Sequence, residues 1–116
     1  MGDPQTNLPY EMSPGQVKSK LDSGAPMLLL DIREVFEHAH THIEGCELMP
    51  MNTIPDHLQD LQTRSTQQLL VVYCHHGVRS LNVVNWLRSQ GVENCVSMSG
   101  GIEDWSLTVD PTVARY

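Results

Sequence analysis

Cys74-His75-His76-Gly77-Val78-Arg79-Ser80 gathers a thiol, two imidazoles, a guanidinium and a hydroxyl into one short stretch, directly after the apolar run Leu69-Leu70-Val71-Val72-Tyr73. A nucleophile needs an ionised form and surroundings that tolerate its charge. A buried strand that ends on a cysteine, turns through a glycine and re-enters as a helix offers both. It places the thiol at the carboxyl end of a strand, where open α/β sheets put their ligands. Backbone N–H groups of the turn and of the helix start point at the same spot. Arg79 adds a fixed positive charge nearby. Such surroundings favour the thiolate, the nucleophilic form of cysteine.

The elements that must position this loop follow from periodicity and punctuation. Ser13 stands as an N-cap, Pro14 fits the first helical position, and Gln16 completes a capping box. Met12 and Val17 are spaced as a hydrophobic staple, and Gly24 ends the helix. Met27-Leu28-Leu29-Leu30 runs apolar into Asp31, as a buried parallel strand does. Val35, Phe36 and Ala39 suggest a short helix, Glu47-Leu48-Met49 a brief strand, and Thr53 the cap of a short helix through Leu58 and Leu61. Leu69 to Tyr73 is the next strong strand. After the cysteine loop, Leu81, Val83, Val84 and Leu87 form a helical stripe stopped by Gly91. Cys95-Val96-Ser97-Met98 reads as a strand, and Ser99-Gly100-Gly101 turns into one or two helical turns over Ile102-Glu103-Asp104-Trp105. Apolar strands alternating with amphipathic helices imply an α/β fold, a central, mostly parallel sheet with helices on both faces. Residues 1–116 are expected to form a single domain, with a core over about 13–106 and a weakly periodic tail over 107–116.

A chain of 116 residues buries a core without disulfide staples. Its net charge of −7, with no Lys or Arg cluster, makes nucleic acid and anionic membranes poor partners. No apolar stretch approaches a membrane span, and the polar start is unlike a signal peptide. Met1-Gly2-Asp3-Pro4-Gln5-Thr6 fits the loose myristoylation pattern, but that pattern is short and one acyl chain anchors weakly. Cys46, Cys74 and Cys95 form neither a paired framework nor a CxxC motif, which points to a reducing compartment, the cytoplasm. Cys46 in a turn and Cys95 in a strand read as small structural residues, with a resolving role left open for either. His38-Ala39-His40-Thr41-His42 suggests a metal site, yet no carboxylate or cysteine stands at zinc-like spacing to close it. Those histidines are read as solvent-facing, with no metal. Trp86 and Trp105 read as core or rim residues.

Three further blocks flank the cysteine loop: Asp31-Ile32-Arg33-Glu34-Val35-Phe36-Glu37, His42-Ile43-Glu44-Gly45-Cys46, and Ser99-Gly100-Gly101-Ile102-Glu103-Asp104-Trp105. In this order and spacing the chain resembles the rhodanese family of sulfurtransferases, specifically its small single-domain members, from about Ser13 to Trp105. The blocks look like the family's Asp-Val-Arg-Glu, Gly-His-Ile-x-Gly-Ala and Gly-Gly-x-x-x-Trp segments. Thr41 and Cys46 depart from the common Gly and Ala. His75 and His76 stand where some thiosulfate-specialised relatives are more basic, and neutral imidazoles offer a weaker field for a dianion.

The resemblance implies transfer of a sulfane sulfur in two halves, without metal or organic cofactor. The Cys74 thiolate takes the outer sulfur of a small donor such as thiosulfate, and a persulfide remains. An acceptor (cyanide, a thiol or a protein) then removes that sulfur. N–H groups from His75 to Ser80, Val78 included, are expected to hold the persulfide charge like an oxyanion hole, with Gly77 permitting the tight backbone. Arg79 either faces the anion or turns back to Asp31 or Glu34 and holds the loop; the tight curl favours the second. Asp31, Arg33 and Glu34 stand as candidate loop supports. His75 and His76 are plain loop residues or donor-binding ones. Cysteine phosphatases and arsenate reductases compete as a reading, but phosphatase loops run Cys-x5-Arg, and Arg79 makes this one Cys-x4-Arg, a narrower ring suited to one sulfur. A non-catalytic rhodanese-like interaction module is the other alternative, although such modules have typically lost the cysteine. The expected state is a monomer or weak dimer.

Overall fold

Residues 8–116 are described by a computed structural model, and the Met1–Thr6 pattern lies outside them. The first helix starts as its sequence dictates. Ser13 Oγ accepts from the Gln16 N–H at 3.2 Å, and Gln16 Oε1 accepts from the Ser13 N–H at 2.9 Å. With Pro14 at the first position this launches α1 (Pro14–Asp22). Gly24, at φ +77°, turns the chain back.

Among the described residues, five strands follow one direction: β1 (Glu11–Met12), β2 (Met27–Asp31), β3 (Glu47–Leu48), β4 (Leu69–Tyr73) and β5 (Cys95–Met98). They pair in parallel throughout, in the order β1-β5-β4-β2-β3. Parallel pairing requires crossovers, supplied by α1, α2 (Val35–His40), α3 (Leu58–Arg64) and α4 (Val78–Ser89), while α5 (Gly101–Thr108) follows β5. The central strands are continuous apolar runs because both their faces are buried. Leu28, Leu30, Leu70, Val72 and Cys74 face Leu61 of α3 and Val83, Val84 and Leu87 of α4. Leu29, Val71, Tyr73, Val96 and Met98 face Val17 of α1 and Ile102 and Trp105 of α5. No helix among the described residues is long and apolar enough to cross a membrane.

At four places the structure corrects or adds to the sequence reading. β1 was not foreseen; it is two residues long, and its pairing with Ser97 and Met98 leaves no periodic signal. Thr53 does not cap a helix: a 3₁₀ segment, Met51–His57, precedes α3, and the Thr53 hydroxyl donates to Pro50 O at 2.7 Å. Pro55 inside that segment has no N–H for a regular helix. In α2 the apolar residues face outward, with Val35 63% and Phe36 73% exposed, whereas the acidic Glu37 is buried. The tail, without regular elements over 110–116, is tied to the body: the Ser106 hydroxyl donates to Val113 O at 2.6 Å, and Arg115 pairs with Glu103.

Candidate active site

Because all strands run one way, the carboxyl ends of β2, β4 and β5 lie along one edge of the sheet, with β4 in the middle. Cys74 is the residue after β4 and is almost fully buried. The chain then turns sharply at Gly77, φ +101°, and α4 begins at Val78. That turn aims backbone donors at the sulfur. The Gly77 N–H reaches Cys74 Sγ at 3.1 Å and the Ser80 N–H at 3.3 Å. Ser80 Oγ lies 3.4 Å from the same sulfur and 2.7 Å from Ser97 Oγ of β5, and both serines are buried. Donors gathered at a sulfur stabilise negative charge on it and on any sulfur it carries.

A second glycine turn holds the loop from behind. Gly101, φ +62°, opens α5 so close to the loop that a Cβ there would overlap the carbonyl oxygens of Cys74 and His75. That proximity lets the first N–H groups of α5 donate inward, from Ile102 to Cys74 O at 2.9 Å and from Glu103 to His75 O at 3.1 Å. These are groups a helix start leaves without partners of its own.

Arg79 pairs with neither Asp31 nor Glu34. Its two guanidinium arms donate to Glu37 Oε1 and Oε2, both at 3.0 Å. Glu37 also accepts from the Tyr116 hydroxyl at 2.9 Å and from the Glu34 N–H at 3.4 Å. The hydrogen bonds from Arg79 pull the Glu37 carboxyl down to about 2 against the cost of burial. Glu34 therefore touches the loop only through its amide and Glu37. Asp31 and Arg33 are a fully buried pair one layer further back: Arg33 Nε and Nη2 donate to Asp31 at 2.8 and 2.7 Å. Burial works against the Asp31 charge, yet hydrogen bonds from Arg33 and His38 outweigh it and hold the carboxyl below its ordinary value. Arg33 Nη1 donates to the Tyr116 hydroxyl at 2.7 Å, which carries this layer to Glu37.

Tyr116 lies flat on His75, ring centroids 3.8 Å apart, and His75 stacks in turn on His76 at 3.9 Å. Burial, with the neighbouring His76, disfavours the charged form of His75, whose Nε2 is buried without a hydrogen-bond partner. Burial raises the Cys46 thiol and pushes Cys95 up to about 11. The sequence spacing gave no ligand to accompany the histidines, but the fold brings Asp31, His38 and Cys46 together, their ligand atoms within 4.8 Å of one another. Asp31 Oδ2 is already engaged by Arg33 at 2.7 Å, His38 at 3.0 Å and the Tyr73 hydroxyl at 3.1 Å, so its lone pairs are committed to protein donors. His42 stacks on His38 at 4.1 Å.

Sequence reasoning gave no role to Glu37, Ser97, Gly101 or Tyr116. Glu37 and Gly101 lie inside the quoted blocks, and an acidic residue amid apolar ones in a short helix is the one available signal for Glu37. Nothing in the tail marks Tyr116.

Comparison with known proteins agrees with this architecture. The family model described as the rhodanese-like domain matches residues 13–108. Thiosulfate sulfurtransferase GlpE of Haemophilus influenzae is 35% identical over 106 residues, covering 91% of this chain and 96% of that protein. The probable adenylyltransferase/sulfurtransferase MoeZ of Mycobacterium tuberculosis is 30% identical over 90% of this chain, which spans only 26% of MoeZ. The crystal structure of a rhodanese-like domain protein from Staphylococcus aureus superposes with a TM-score of 0.77 at 29% identity, covering 93% of this chain and 99% of that one. The parallel α/β fold is thus shared, and the chain belongs to the rhodanese-like family.

Proposed function

We propose that the chain is a sulfurtransferase that carries sulfane sulfur from a donor such as thiosulfate to a thiophilic acceptor, as a persulfide on Cys74. The observation that carries this reading is the pair of N–H groups, from Gly77 and Ser80, that converge on the Cys74 sulfur at 3.1 and 3.3 Å. The thiolate attacks the outer sulfur of thiosulfate, the S–S bond breaks, and sulfite leaves with the bonding pair. The persulfide charge then sits where the loop donors already point. A nucleophilic acceptor (cyanide, a thiol or a protein persulfide acceptor) attacks the outer sulfur and returns Cys74 as thiolate. The two half-reactions share one site, so kinetics are ping-pong, and the chemistry calls on no metal or organic cofactor.

The name of the GlpE relative, similar over nearly its whole length, supports thiosulfate among the donors. Three free cysteines support work in a reducing compartment such as the cytoplasm, and we propose that the domain acts there as a monomer or weak dimer. A non-catalytic module would have no use for the donors gathered around Cys74. Intact mass after brief exposure to thiosulfate or, separately, to a small alkyl persulfide tests the proposal. One added sulfur, removed by cyanide and absent in Cys74→Ser, is expected. No added sulfur from either donor would overturn the reading.

A further inference from the structure

Resting on the sulfurtransferase reading, we infer that Glu37 sets the donor class of the Cys74 site: it holds the Arg79 guanidinium away from the incoming donor, and so favours singly charged persulfides over doubly charged thiosulfate.

Each of the five arginines is engaged. Arg33 pairs with Asp31, Arg64 with Glu47, Arg79 with Glu37, and Arg115 with Glu103, while Arg88 donates to the carbonyls of Leu8, Pro9 and Cys95. The pairs that face the mouth of the loop, Arg79–Glu37 and Arg115–Glu103, each sum to zero. The remaining groups there are His75, whose charged form is disfavoured, and His76. A dianion entering this mouth therefore meets oriented N–H groups but no unpaired guanidinium.

Glu37 is built to keep that hold. Its side chain is 8% exposed, while that of Arg79 is 33% exposed, so Arg79 is the partner with room to move. Four donors fix the carboxylate: both arms of Arg79, the Tyr116 hydroxyl and the Glu34 N–H. Arg79 stands on the first turn of α4, beside Ser80, whose N–H reaches Cys74 Sγ at 3.3 Å. A guanidinium released from Glu37 would thus act on a donor at Cys74. Its attraction scales with donor charge, twice as large for thiosulfate as for a singly charged persulfide. The persulfide step balances as the thiosulfate step does: the Cys74 thiolate takes the outer sulfur of R–S–S⁻, the S–S bond breaks, R–S⁻ leaves with the bonding pair, and the persulfide charge stays on the outer sulfur at Cys74.

The test is the ratio of kcat/KM for thiosulfate to kcat/KM for a small alkyl persulfide in four proteins. Removing only the negative charge, in Glu37→Gln, is expected to raise that ratio about tenfold at low ionic strength, and salt should erode the gain. Arg79→Gln, which leaves Glu37 unpaired, should lower the ratio. The double variant restores net zero charge and should return the ratio to within about threefold of the starting protein. Tyr116→Phe removes one of the donors on Glu37, keeps the ring on His75, and should move the ratio in the same direction as Glu37→Gln but less. It supplies the result should Glu37→Gln fail to fold. If the pair merely braces the loop, all variants lose both activities together at constant ratio, and the inference is overturned while the sulfurtransferase reading stands. Wild-type protein that takes sulfur from neither donor would overturn that reading instead.

Discussion

Replacing Gly101 by alanine asks whether the seat of the cysteine loop depends on the missing side chain. Gly101 has φ +62°, a left-handed angle that costs an alanine about 1 kcal/mol. The larger effect is steric. A Cβ there would lie 2.5 Å from Cys74 O and 2.5 Å from the His75 carbonyl carbon, and these are backbone atoms that cannot rotate aside. Relief requires the loop and the start of α5 to part by about 1 Å, which stretches the Ile102 to Cys74 and Glu103 to His75 hydrogen bonds, each worth about 1 kcal/mol net. The expected loss is about 3 kcal/mol, within the 5–15 kcal/mol of a typical domain, so the variant folds. With a slope of about 1.5 kcal/mol per molar, the urea midpoint falls by about 2 M. Fluorescence is a fitting probe, because Trp105 is buried on α5 four residues after the substitution. Gly24→Ala is the control: φ is +77° and nothing lies within 4 Å of its would-be Cβ, so it should lose only about 1 kcal/mol and keep full sulfur loading at Cys74. Equal midpoints for Gly101→Ala and Gly24→Ala, or undiminished sulfur loading in the former, would refute the steric argument.

Glu37 should make the fold sensitive to acid. Hydrogen bonds from Arg79 lower its carboxyl from an ordinary 4.5 to about 2, so its contribution is complete above pH 4.5 and is lost as pH falls through the folded value. At most about 3 kcal/mol is at stake, and urea midpoints measured from pH 5 down to pH 2.5 should fall less steeply in Glu37→Gln. Gly77→Ala should impair turnover more than stability: at φ +101° its Cβ would press on Gly100 N at 3.0 Å and shift the N–H that reaches Cys74. Wild-type turnover in that variant would mean the glycine's angle is not required. Cys46→Ser and Cys95→Ser should still load sulfur, since burial keeps both thiols protonated. Loss of loading in either one, in a folded protein, would give that thiol a part in the transfer.

Features fixed by neighbours in the chain were legible from the residues. The capping box at Ser13 and Gln16, the two-faced burial of Met27–Asp31 and Leu69–Tyr73, and the glycine stop at Gly91 all need only a few consecutive residues. The donors around Cys74 belong to the same class, because they lie within six positions of it. Pairings across the topology were not legible. Arg79 and Glu37 are 42 residues apart, and Arg33 and Tyr116 are 83 apart. Spacing along a chain carries no record of which carboxylate a guanidinium will find after three crossovers. For α2 the apolar residues marked the helix but not its buried face, since Val35 and Phe36 face solvent while Glu37 turns inward to meet a charge from another element.

The separated blocks are nevertheless one physical object. In the order β5-β4-β2 the cysteine strand is flanked by the two strands whose ends carry two of the other blocks. β5 delivers Ser97, Gly100 and Gly101; β2 delivers Asp31, Arg33 and, through α2, Glu37. Each flank acts on the loop differently. The β5 side binds backbone carbonyls of Cys74 and His75, which fixes position. The β2 side binds the Arg79 side chain, which governs charge. Position and charge are thereby controlled from opposite sides of the same sulfur. A substitution at Gly101 should disturb sulfur loading from every donor, whereas one at Glu37 should change which donor is preferred while the seat of the loop stays intact.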